Sequence, residues 1–88
     1  MKISKIKYSK QFDDFLDNLN DKTRADQITT ALENYAKDPN ELPRPKDCKH
    51  YANREKVAIP DANIVVFYDN FGSYWVMIDG SEFAQRVS

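Results

Sequence analysis

Three prolines within seven residues, Pro39, Pro43 and Pro45, divide the chain into halves with different periodicities. Proline fixes φ and donates no backbone hydrogen bond, so residues 39–47 form an extended connection that returns the chain from helix to sheet. Upstream, Phe12, Phe15, Leu16 and Leu19 recur at helical spacing behind a capping Ser9, with Asp13, Asp14 and Asp17 on the wet side. Past Asn20-Asp21, a second helix carries Ile28, Ala31, Leu32 and Tyr35 on one face and stops at Asp38-Pro39. Ahead of both helices, residues 2–8 alternate as a half-exposed strand, with Ile6 and Tyr8 on one side, Lys5 and Lys7 on the other, and Ile3 out of phase. Downstream, residues 56–59, 63–68 and 74–78 are rich in Val, Ile and aromatics. Pro60-Asp61 and Asp69-Asn70-Phe71-Gly72 separate them, Gly72 supplies positive φ, and Gly80 is expected to break the last strand.

The order is therefore βααβββ. Two amphipathic helices bury their stripes best against one face of a twisted sheet, which predicts an α+β fold with a helical hairpin on a small, mainly antiparallel sheet. A chain of 88 residues supports one core, so residues 1–88 form a single domain. Period-2 patterning leaves open which parity of each strand points inward. The face away from the helices is expected to be wet and to carry the function.

Composition narrows the chemistry. Cys48 is the single cysteine and His50 the single histidine, so neither an intramolecular disulfide nor a Cys/His zinc site is expected, and no metal or cofactor is assigned. The apolar runs are far shorter than the roughly 20 residues of a spanning helix, and the first ten residues contain no signal-like apolar stretch. A soluble cytoplasmic protein without membrane contact is expected. The formal charge of -1 hides a segregation. Residues 1–10 carry four lysines and no acid, residues 11–41 are net negative, residues 42–56 are net positive, and residues 57–88 are net negative again. If the first strand and the proline-rich connection adjoin, they form a basic strip for a polyanion. Otherwise the lysines are a solvated edge that discourages strand pairing.

The order of elements and several motifs resemble the RelE/ParE superfamily of small toxins from bacterial type II toxin–antitoxin modules, in particular its YafQ-like branch. The matching stretches are Lys46-Asp47-Cys48-Lys49-His50, then Arg54-Glu55-Lys56-Val57-Ala58-Ile59-Pro60-Asp61, then Ile64-Val65-Val66-Phe67-Tyr68, and Gly80-Ser81-Glu82-Phe83. The resemblance covers nearly the whole chain. It implies a metal-independent, ribosome-dependent endoribonuclease that cuts messenger RNA, neutralised by a cognate antitoxin, as a monomer or a small toxin–antitoxin complex. It leaves two alternatives: a RelE-fold binding module without cleavage that engages antitoxin, operator or ribosome, and a ParE-like inhibitor of DNA gyrase. RNA cleavage by the 2′-hydroxyl on its own phosphate needs a base, cations for the charged phosphorane and an acid for the leaving oxygen.

Carried over position by position, Asp61 matches the family Asp. The loop His falls on Cys48 with His50 two residues away, the strand His on Val57, and the tail His on Glu82. The Arg of the strand ending in the Ile-Tyr motif of RelE-like relatives has no counterpart. The candidate catalytic set is thus His50 as base, Arg54 as phosphate clamp, Asp61 to orient a base and Glu82 as a carboxylate in the histidine's place. Lys46, Lys49, Lys56 and Arg86 are the RNA-binding cations. Each has a plainer reading beside it. His50 is a surface residue, Arg54 an ion-pair partner of Glu55, Asp61 or Glu82, and Asp61 a turn residue. Tyr68 and Trp75 are core residues rather than base-stacking ones, and Cys48 is a small thiol.

Overall fold

The computed structural model describes residues 3, 5–40, 42–45 and 54–82. Strand β1 (Lys5–Tyr8) is followed by helices α1 (Lys10–Leu19) and α2 (Lys22–Lys37), then by β2 (Glu55–Ile59), a 3-10 turn (Pro60–Ala62), β3 (Ile64–Asn70) and β4 (Tyr74–Glu82). The sheet order is β1-β4-β3-β2. The β2–β3 and β3–β4 pairs are antiparallel, and β1 lies parallel to β4. This is the α+β arrangement anticipated from the sequence, with two helices on a four-stranded mixed sheet.

Local chemistry sets the boundaries. Ser9 caps α1 by accepting from Phe12 N–H at 3.1 Å while its hydroxyl donates to the Ile78 carbonyl at 3.3 Å, so one side chain joins the helix start to β4. Asp21 caps α2 through Arg24 N–H at 3.1 Å, and Asn20 takes the left-handed conformation between the helices. Ile3 lies outside β1. Its N–H donates to the Ala36 carbonyl at the end of α2 and its side chain packs against the core, which explains why it falls out of phase with the strand.

The core joins Phe12 of α1 and Ile28, Leu32 and Ala36 of α2 to Val57, Ile59, Ile64, Val66, Tyr68, Trp75 and Met77 of the sheet. A β-bulge settles the parity of β4. Phe67 opposes Asp79 and Tyr68 opposes Met77, so Ile78 is the extra residue. Before the bulge Trp75 and Met77 face the helices; after it Gly80 and Glu82 do.

Two expectations are corrected. Gly80 does not end the last strand, which runs on to Glu82. Its missing side chain serves close packing instead, because a Cβ there would penetrate the Phe15 ring. Gly80→Ala should therefore cost about 1–3 kcal/mol by overpacking. In a double-mutant cycle with Phe15→Ala that cost should largely disappear. Nor is the second face of the sheet simply wet, since Ala58, Val65 and Phe67 are buried although they lie outside the helix-side cluster.

Candidate nucleic-acid interface

The face opposite the helices is read from strand register. Lys5 and Lys7 of β1 alternate with the core-facing Ile6 and Tyr8. Tyr74 and Val76 lie beside them on β4, Asp69 and Phe67 on β3, and Lys56 on β2. Because β1 and β2 occupy opposite ends of the sheet, the first strand and the proline-rich connection do not adjoin. The basic residues form two margins, Lys5 with Lys7 and Arg54 with Lys56, separated by three strand spacings or about 14 Å.

The β2 margin is linked by several polar contacts. Arg54 Nη1 donates to Asp69 Oδ2 at 2.9 Å, an ion pair with a partner that the sequence reading did not weigh. Both side chains remain about one-third exposed, at 34% and 39%, so the guanidinium is oriented without being removed from solvent. Lys56 Nζ donates to the Arg54 carbonyl at 3.2 Å, placing a second cation at the same corner.

Arg44 secures the strand beneath these groups. Its Nη1 donates to the Lys56 carbonyl at 2.7 Å and to the Tyr68 hydroxyl at 2.8 Å, its Nη2 pairs with Glu55 at 3.6 Å, and its guanidinium lies 5.8 Å from the Tyr68 ring centre. Ala58 N–H donates to the Pro43 carbonyl at 2.7 Å. The connection thus covers the outer edge of β2, a protection that edge strands need. Arg44 escaped the sequence reading because an Arg between two prolines carries no periodic signal.

Burial pushes the Tyr68 phenol above its ordinary value near 10, and Glu55 adds to the rise; the hydrogen bond and charge of Arg44 oppose it. Tyr8 and Tyr35 are raised as well, chiefly by burial. A phenol that resists ionisation in the folded state leaves stability intact below about pH 10, and the loss begins once the unfolded chain ionises first. These phenols should accordingly leave urea midpoints unchanged between about pH 8 and 9 and lower them above about pH 10. Tyr68→Phe should reduce the alkaline slope, and an unchanged slope would remove Tyr68 from the explanation.

Of the remaining candidates, Asp61 and Glu82 lie at the other end of the sheet. Glu55 and Ile59 mark the two ends of β2, about 13 Å apart at the rise of an extended strand. Asp61 is exposed in the 3-10 turn, which carries no side-chain cap and closes through Asn63 N–H to the Pro60 carbonyl. Glu82 faces the helices and pairs with Arg24 at 3.1 Å, while the same guanidinium donates to the Ala62 carbonyl at 2.7 and 3.2 Å. Arg24 therefore gathers Glu82 and the Asp61–Ala62 turn into one corner, and neither carboxylate shares the corner of Arg54 and Lys56. Asp61 also borders a groove of about 610 Å³ between α2 and the turn, lined by Thr23, Gln27, Thr30 and Asn34 among others, with no Lys or Arg among its lining residues. His50, Lys46, Lys49, Arg86 and Cys48 lie outside the described residues.

Among the described residues no group of three or more His, Cys, Asp or Glu is placed to hold a metal ion, and no helix is long and apolar enough to cross a membrane. No protein-family model, curated protein or solved structure matches the chain.

Proposed function

We propose that this chain is the toxin of a type II toxin–antitoxin module, acting in the cytoplasm as a metal-independent endoribonuclease on ribosome-bound messenger RNA and neutralised by a cognate antitoxin. The observation that carries the reading is the Arg54 corner. A guanidinium aimed by Asp69, with Lys56 beside it, lies on the sheet face away from the helices. A planar fork held in advance of substrate is suited to a phosphate whose charge grows during 2′-hydroxyl attack. Residues 46–53, with Lys46, Lys49 and His50, lead in sequence directly into that corner. In this reading His50 takes the 2′-hydroxyl proton as the 2′-oxygen attacks phosphorus and, as the imidazolium, returns a proton to the leaving 5′-oxygen when the P–O5′ bond breaks. Arg54 stabilises the phosphorane, and Lys56 and the loop lysines bind flanking phosphates.

One observation favours a second reading, binding without cleavage. Glu82 is engaged by Arg24 on the helix side, so the carboxylate expected in place of a tail histidine is remote from Arg54. Induced expression in a bacterial host separates the two. The proposal expects translation to stop with new cuts in messenger RNA. Arrest with a DNA-damage response and intact messages would replace it with gyrase inhibition, and unimpaired growth would replace it with the binding module.

A further inference from the structure

We propose that the turn between β3 and β4 carries a base-stacking subsite for single-stranded RNA, built from Phe71, Tyr74, Lys7 and Lys5. The inference rests on the RNA-binding reading above and extends it from the Arg54 corner, along the same end of the sheet, to the turn joining the central strands and to the lysines of β1.

Phe71 is 57% exposed, the one large hydrophobic side chain presented in this way among the described residues. Its ring stacks on Tyr74 with centres 4.9 Å apart and planes 15° from parallel. The tip that holds it is fixed by hydrogen bonds: Phe71 N–H donates to the Tyr74 carbonyl at 3.0 Å, and Gly72 N–H, at φ 92, donates to Asn70 Oδ1 at 2.8 Å. Lys7 Nζ lies 4.9 Å from the Tyr74 ring centre, and Lys5 stands opposite Tyr74 in the register. The arrangement is a ladder of cation, ring and ring, ending in an exposed aromatic at the end of the two central strands.

Unpaired bases are the occupant this chemistry fits. Every base offers a π-face to an exposed ring, and lysines beside the ring neutralise the phosphates that accompany the base. A protein partner would call for a wider apolar patch than a single ring. Cations stand at both margins of this face, Asp69 between them is paired with Arg54, and the turn lies at the Arg54 end of the sheet, so a strand running from Arg54 toward Lys5 and Lys7 passes it.

The test uses the full chain and fluorescence anisotropy with two labelled probes, a ten-residue oligouridylate and an abasic ribose-phosphate oligomer of the same length. Wild type should prefer the oligouridylate. Phe71→Ala should weaken oligouridylate binding about 5- to 100-fold while leaving the abasic oligomer unaffected, and Phe71→Trp should restore it. Lys7→Ala should lower the salt dependence by about one phosphate contact. The exposed position should keep the melting temperature of the Phe71 variants within about 3 °C of wild type, which separates lost stacking from lost folding. Equal oligouridylate binding by wild type and Phe71→Ala, with Arg54→Ala still weakening both probes, would overturn the subsite and leave the RNA reading standing. Binding of neither probe at low salt would overturn both.

Discussion

Replacing Phe12 with alanine should lower stability by about 3–5 kcal/mol. Phe12 is fully buried and belongs to the hydrophobic cluster joining α1 to the sheet. Its ring stacks on Tyr8 at 5.7 Å and contacts Phe15 at 5.8 Å, so it ties β1, α1 and the packing beside Gly80 together. Its truncation leaves a cavity between a helix and a sheet held by many other contacts, and such a site collapses poorly. A domain of this size has a total stability of roughly 4–13 kcal/mol, so the substitution should remove between about a quarter of it and all of it. Urea denaturation should show a large fall in midpoint at an unchanged slope. A loss below about 1 kcal/mol would mean that α1 is not a structural part of the core.

The second large effect concerns function. On the proposed function, Arg54→Ala should reduce messenger RNA cleavage about 10²- to 10³-fold, the range for removing one preorganised charge-stabilising donor from a transition state. The fold should persist, because Arg54 is partly exposed at the edge of β2 and its ion pair with Asp69 is accessible to water. Arg54→Lys should recover little of the activity, since an ammonium cannot reproduce the planar fork that Asp69 aims. Asp69→Asn should produce an intermediate loss by releasing that aim while preserving the cation. Full activity in Arg54→Ala, with protein present at normal levels, would remove Arg54 from the site.

The parts of the fold that were legible in the sequence are those written as local patterns. Ser9 ahead of an apolar stripe, Asn20-Asp21 between two stripes, and Gly72 in a turn specify their own conformations. The bulge at Ile78 is a different matter. It arises from how β4 meets β3 and inverts the parity of the strand, so no alternation within 74–82 reveals that Trp75 and Gly80 share a face. Strand order is equally non-local. Lys5 and Lys56 lie on opposite margins because β4 and β3 intervene, which no count of charges along the chain discloses. The site follows the same division. Arg54 stood out as an Arg at a strand start, whereas its partner Asp69 and its neighbour Arg44 enter only through tertiary pairing across 15 and 24 residues, the latter through Tyr68. Glu82 read as a substitute for a tail histidine, and its contact with Arg24 is set by the same bulge.

The proposed activity is RNA cleavage by 2′-hydroxyl attack at the face carrying Arg54. The most direct measurement is the mapping of messenger RNA ends within minutes of induction, for wild type and Arg54→Ala. The wild type should show new 5′-hydroxyl ends with matching 2′,3′-cyclic or 3′-phosphate ends, and the variant should nearly lack them. Growth arrest without such ends, or the same ends at the same level in Arg54→Ala, would contradict it.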